Sequence, residues 1–124
     1  MGYAVIDPAE LPAADDPDRE ASRRSISDAV GLTHLGAHVY EAAPGETIPL
    51  AYHYHEEQEE LFYVLSGTLS LETPEEDLAA DAGELIVVEP GSPQRAYVAA
   101  DADEAAEVLA IGAPSANDAH PYEP

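Results

Sequence analysis

His53 and His55 stand one residue apart in the stretch Tyr52 to Gly67, YHYHEEQEELFYVLSG, and a run of glutamates follows them at once. On an extended strand, side chains two apart share a face, so the two imidazoles project together while Tyr52 and Tyr54 point the other way. Neutral imidazole nitrogens suit Zn, Cu, Fe, Ni and Mn, and a carboxylate completes a set that leaves positions open for substrate or oxygen. Glu56, Glu57, Glu59 and Glu60 offer that carboxylate. The chain has no cysteine, so thiolate metal sites, disulfides and cysteine nucleophiles are excluded. The competing reading of the same pair is a wet strand of an acidic protein, and the elements around it decide between the two.

Those elements read as short strands. LTHLGAHVYEA is followed by the turn APGETIP, and then LAYHYH, LFYVLSG, TLSLET, ELIVVEP, RAYVAA and EVLAIGA recur between the turn clusters SG, TPEED, DAGE and PGSP. Strands of this length with frequent turn signals predict an antiparallel all-β sandwich or barrel. No long run in this region has a 3.6-residue period, so helices are minor there. The expected organisation is an N-terminal arm over 1–31, a barrel over 32–112 and a Pro-rich tail over 113–124. The arm carries only a weak helical pattern in DDPDREASRRSISDAV and is expected to pack on the body or on a partner.

In this setting the histidine stretch resembles the first motif of the cupin family, G-x5-H-x-H-x3,4-E-x6-G. It runs from Gly45 through His53 and His55 to Glu60 and Gly67, with seven residues rather than five between Gly45 and His53. Glu60 keeps the six-residue spacing to Gly67, which Glu59 does not. The second motif, G-x5-P-x-G-x2-H-x3-N, has its counterpart in GELIVVEPGSPQRAYV. Gly83 and Gly91 are in register and Pro90 sits one place late, while Gln94 replaces the motif's histidine and Val98 its asparagine. The resemblance implies a double-stranded β-helix, a jelly-roll barrel, that pairs as a homodimer and holds its site inside.

It also implies a divalent transition metal (Mn, Fe, Ni, Cu or Zn) on His53, His55 and Glu60. Gln94 is either the fourth ligand, through its neutral amide oxygen, or a substrate contact beside a water. Strand parity places Gln94, Ala96 and Val98 on one face and Arg95 and Tyr97 on the other. Small cupins include dioxygenases, isomerases, epimerases and lyases, so the first functional expectation is a metal-dependent enzyme acting on a small molecule. The second is a non-catalytic sensor or small-ligand binding protein, with or without metal. Glu59 has the wrong parity for an inward base if Glu60 faces in, which leans toward binding or toward chemistry drawn from the metal alone.

Other residues have plainer expectations. His34 and His38 fit no ligand position and read as structural. His120 and Tyr122 either reach back over a barrel mouth or lie on a surface tail. Tyr52, Tyr54, Tyr63 and Tyr97 read as core or interface aromatics. Arg95 is expected to have a carboxylate partner, or else to grip an anionic substrate or a second subunit.

Charge sets the setting. Asp and Glu number 26 against four arginines (Arg19, Arg23, Arg24, Arg95) and no lysine, for a net charge of -22. Such a field repels nucleic acid and anionic membranes. Absent lysine with abundant Asp, Glu and Ala resembles the proteins of salt-accumulating haloarchaea, where molar salt shortens the screening length to about 3 Å. The N-terminal residues lack a secretory pattern and no segment has the length of a membrane span, so the chain reads as cytoplasmic.

Overall fold

A computed structural model describes residues 2–14, 21–115 and 118–123. Ten strands and one short helix follow a 3-10 turn at Pro8–Glu10: β1 (Ser22–Ser25), α1 (Ile26–Val30), β2 (Gly36–Ala42), β3 (Thr47–His55), β4 (Glu59–Ser66), β5 (Thr68–Glu72), β6 (Asp77–Asp81), β7 (Leu85–Val88), β8 (Gln94–Tyr97), β9 (Ala106–Ala113) and β10 (Ala119–Pro121). They form two five-stranded sheets, ordered β1-β2-β9-β4-β7 and β10-β3-β8-β5-β6, with antiparallel pairing throughout. From β2 onward the chain passes from one sheet to the other at almost every turn, which is the winding of a jelly-roll barrel. The all-β double-stranded β-helix expected from the sequence is the observed fold.

Alternation produces the core. β9 buries every second residue, and β8 does the same through Gln94 and Ala96. Phe62, Ile48, Leu69, Val64, Val98 and Val108 are fully buried between the sheets, each contributing about 1.5–3 kcal/mol by leaving water. The β4–β5 turn needs glycine: Gly67 has φ 77°, and a Cβ there would sit 2.5 Å from the Ala105 carbonyl oxygen.

Three strands and the helix arise where local sequence signals are thin. Within the span expected as an arm, Ser22–Ser25 pairs along β2, and Ser25 then caps α1 by accepting from the Asp28 N–H at 3.2 Å. α1 ends after one turn at Gly31, which is left-handed at φ 72°. Asp77–Asp81, whose two ends fall in the turn clusters TPEED and DAGE, is the edge strand β6, and the tail returns as β10 beside β3.

Candidate metal centre

The two imidazoles reach the barrel interior through an irregularity in β3. Ile48 and His53 are five positions apart, so an ideal strand would send them to opposite faces. The β3–β8 register shifts between these two residues, and both are buried on the inner side. A bulge of this kind re-aims the following side chains. His53 then pairs in register with Gln94 on β8, while Glu60 enters from β4 of the other sheet together with Phe62 and Val64. The turn after β7 closes on the same end, where the Gly91 N–H donates to the His55 carbonyl at 2.6 Å.

The four residues expected as ligands are brought together. His53 Nε2 lies 3.1 Å from His55 Nε2, and His55 Nε2 lies 3.1 Å from Glu60 Oε1. One ligand atom from each of His53, His55 and Glu60 falls within 4.8 Å of the others. Gln94 Nε2 is 3.3 Å from His53 Nε2 and donates to Glu60 Oε1 at 3.3 Å, while its buried Oε1 has no hydrogen-bond partner. His53 and Gln94 are buried at 4% and 1% exposure, whereas the His55 and Glu60 side chains keep 11% and 13%.

A residue that no sequence motif singles out orders this cluster. Asp118, just before β10, places Oδ1 2.8 Å from His55 Nδ1 and accepts through Oδ2 from the backbone N–H groups of Glu57 (2.8 Å) and Gln58 (3.1 Å). Burial alone would raise its carboxyl, but the Glu57 N–H, the His55 imidazole and the Gln58 N–H outweigh that and hold the pKa at about 2. An ionised carboxylate on Nδ1 keeps the proton of neutral His55 on that nitrogen, so the Nε2 lone pair faces His53 and Glu60. The only sequence signal for Asp118 is an acid in a Pro-rich tail.

The donor set fits a metal ion. Two donors about 2.1 Å from one ion and at cis positions lie about 3.0–3.4 Å apart, and both contacts of His55 Nε2 have that spacing. Burial pushes the Glu60 carboxyl above its ordinary value; the His55 imidazole opposes this and Asp118 adds to it. A cation beside Glu60 would relieve that cost. Gln94 turns its amide nitrogen to His53 and Glu60, and its oxygen, which has no hydrogen-bond partner, would become a neutral fourth donor on rotation of the amide.

The remaining residues lie away from the cluster. Glu56, Glu57 and Glu59 are exposed. His34 contacts the Thr33 hydroxyl, and His38 lies tilted against Tyr40 with ring centres 6.0 Å apart. Arg95 has its carboxylate: Nε donates to Glu72 at 2.8 Å while the guanidinium covers the Tyr97 ring at 4.3 Å. His120 and Tyr122 reach back onto the outside of β3, against Tyr54 and Tyr52 at 5.3 and 5.1 Å, and His120 meets Glu56 at 3.1 Å.

A family model of the cupin domain matches residues 38–112, which spans β3, β4 and β8 with all four inward donors. The chain belongs to the cupin family. No curated protein matches this cupin. Among solved structures it is similar to a candidate sugar phosphate isomerase from Acidithiobacillus ferrooxidans, with 27% identity, TM-score 0.71, and coverage of 84% of this chain and 67% of the other. The polyketide cyclase RemF from Streptomyces resistomycificus matches at 19% identity and TM-score 0.80 over 98% and 87% of the two chains. KdgF from Halomonas sp. matches at 19% and 0.74 over 94% and 97%. These last two likenesses bear on the fold of the cupin alone. No helix among the described residues is long and apolar enough to cross a membrane.

Proposed function

We propose that this cupin is a mononuclear divalent-metal protein that acts on a small oxygen-bearing molecule at the mouth of its barrel. His53, His55 and Glu60 hold the ion and Gln94 supplies a fourth, neutral donor. The observation that carries this reading is the convergence of two Nε2 atoms and one carboxylate oxygen, with the His55 tautomer set from behind by Asp118. When bound, a divalent metal supplies Lewis acidity or an oxygen-binding position. With one carboxylate the loaded centre would be net positive inside a chain of net charge -22, which favours an anionic or strongly dipolar oxygen group there. The residues themselves orient the ligand: Gln94 offers its amide at the centre, and the partly exposed edge at His55 and Glu60 is the side open to solvent.

A non-catalytic ligand-binding role is the second reading, and one observation favours it. Glu56, Glu57 and Glu59 face solvent, and Asp118 is held by three donors, so none of these carboxylates is placed as a free base beside the ligands. The likeness to a candidate sugar phosphate isomerase weighs on the enzymatic side.

Elemental analysis of untagged protein purified in molar KCl, beside His53→Ala and Glu60→Ala, tests the metal. One transition metal per chain, lost in both variants, is expected. No metal after incubation with Mn, Fe, Ni, Cu and Zn would overturn the proposal. Anaerobic Fe(II) loading followed by oxygen uptake with catechols, thiols and keto acids then separates oxygen chemistry from binding.

A further inference from the structure

Strand β2 turns a histidine into the barrel. Its ladder with β9 runs without a shift from Gly36 to Ala42, so residues 36, 38, 40 and 42 share one face. Tyr40 and Ala42 of that face lie in the core, whereas Val39 and Glu41 line an outer cavity beside Asp7 and Pro8. His38 is therefore an inner-face residue. Exposure falls along this row: Gly36 and His38 are partly exposed, while Tyr40 and Ala42 are buried at 4% and 0%. Water thus reaches an inward imidazole from the Gly36 end.

Register places that end level with the cluster. Gly36 pairs with Gly112, and Gly112 pairs with Glu60, so two strand spacings of about 4.8 Å separate the backbones of Gly36 and Glu60. His38 Nε2 lies 3.5 Å from where a Gly36 Cβ would stand. The ring thus leans from its own rung, that of Ala110 and Phe62, toward the rung of Glu60. Gly36, Ala110 and Gly112 put no large side chain on this wall. What stands over Gly112 is the Gln58 amide, whose Cδ would be 2.7 Å from a Cβ there. Gln58 comes from the turn that Asp118 ties down, and its Nε2 donates to the Pro114 carbonyl at 3.1 Å on the exposed rim.

Charge gives the wall its chemistry. The chain has no lysine, Arg24 donates to the Leu11 carbonyl and lines the outer cavity, and Arg95 lies outside with Glu72. His38 is an inward nitrogen, set apart from the cluster, that can donate to an oxygen acceptor.

We propose that His38 is the second anchor of the ligand pocket and fits it to small molecules with an oxygen group at each end, such as a short dicarboxylate. One end goes to the cluster, the other accepts from His38 Nε2, and the carbons between pass along Gly112 against the Gln58 amide. The cluster end rests on the metal-centre reading; the His38 end rests on β2 register alone. A ligand with a single oxygen group uses the cluster only, so His38 selects by length.

Calorimetric titration of the Zn(II)-loaded full chain in molar KCl with acetate, malonate, succinate and glutarate tests this. One dicarboxylate should bind best, and His38→Leu should weaken it about tenfold or more, the size of one charge-assisted hydrogen bond. Acetate binding and zinc affinity should stay as in wild type. His38→Gln, which keeps a donor and most of the volume, should fall between. In protein labelled with 15N-histidine, the His38 ring signals, assigned by their loss in His38→Gln, should move with the dicarboxylate and not with acetate. Equal weakening of acetate and dicarboxylate in His38→Leu, an unmoved His38 signal, or no dicarboxylate binding to zinc-loaded protein overturns the inference and leaves the metal centre standing. Failure of the wild type to take up zinc is read before any ligand is added, and it strikes the metal centre and the two-anchor pocket together.

Discussion

The Asp118 carboxylate lies 2.8 Å from Nδ1 of His55, a residue 63 positions earlier in the chain. The same carboxylate ties down the backbone of Glu57 and Gln58 in the turn between the strands that carry His55 and Glu60. One side chain therefore sets both the tautomer of a candidate ligand, His55, and the path from it to Glu60.

Replacing Asp118 with Ala should weaken metal binding about 10- to 100-fold, the usual cost of removing a partner behind a ligating histidine. Asp118→Asn should fall between, since its amide oxygen still accepts from Nδ1 while its NH2 faces backbone donors. Calorimetric titration with Zn(II) or Co(II) checks this; equal affinity in all three proteins would show that the contact only braces the turn.

Gln94 is tested by substitution in both directions. Gln94→Ala should lower metal affinity about tenfold or more, and Gln94→His should raise it, because imidazole is a better donor than an amide oxygen for these ions. An unchanged affinity in Gln94→Ala would remove Gln94 from the ligand set and leave it as a ligand-facing side chain.

Gly67→Ala should cost about 3 kcal/mol, combining the left-handed strain with overpacking against the Ala105 carbonyl 2.5 Å from the new Cβ. Urea denaturation in molar KCl measures it. A loss below about 1 kcal/mol would mean that the β4–β5 turn shifts freely, so that the lower entropy of the unfolded alanine chain offsets what strain is left.

Alkaline stability should depend on Tyr97. Burial raises its pKa, as do its hydrogen bond to Asp77 and that carboxylate's charge, while Arg95 and Ser70 oppose. Below the ordinary tyrosine pKa of about 10 the phenol is neutral in both states. Above it the unfolded chain releases its proton first, so it binds fewer protons than the folded chain and stability falls as pH rises. Tyr97→Phe should flatten that fall in melts taken from neutral to strongly alkaline pH; an unchanged slope would assign it to other groups.

Thermal stability should climb with KCl from dilute to molar concentrations, since 26 acids face four arginines and their repulsion is screened by salt. A melting temperature that is flat or falls with KCl would sink the link between composition and molar salt.

Much of this is legible in the residues. The resemblance to the family's motifs points to His53, His55, Glu60 and Gln94, and parity puts Gln94, Ala96 and Val98 on one face, which in the fold is the buried one. Other features are not legible, for reasons that are physical. The bulge that turns both Ile48 and His53 inward has no sequence marker, because parity counting assumes an unbroken strand. DLAAD lacks the β-branched and aromatic residues that announce a strand, yet it forms β6 by pairing with β5. Asp118 becomes meaningful only once β10 pairs with β3, a tertiary event no local pattern encodes.

The tail gives this barrel a division of labour. All four inward donors fall within residues 38–112, the portion that matches the family, but the group that sets the His55 tautomer lies beyond it at Asp118. A chain shortened by its last dozen residues would keep every ligand and lose the brace that aims one of them. If the cluster holds a metal as proposed, part of its affinity would thus be written outside the residues that supply the donors, and would be open to adjustment by changes to the tail that leave the barrel untouched.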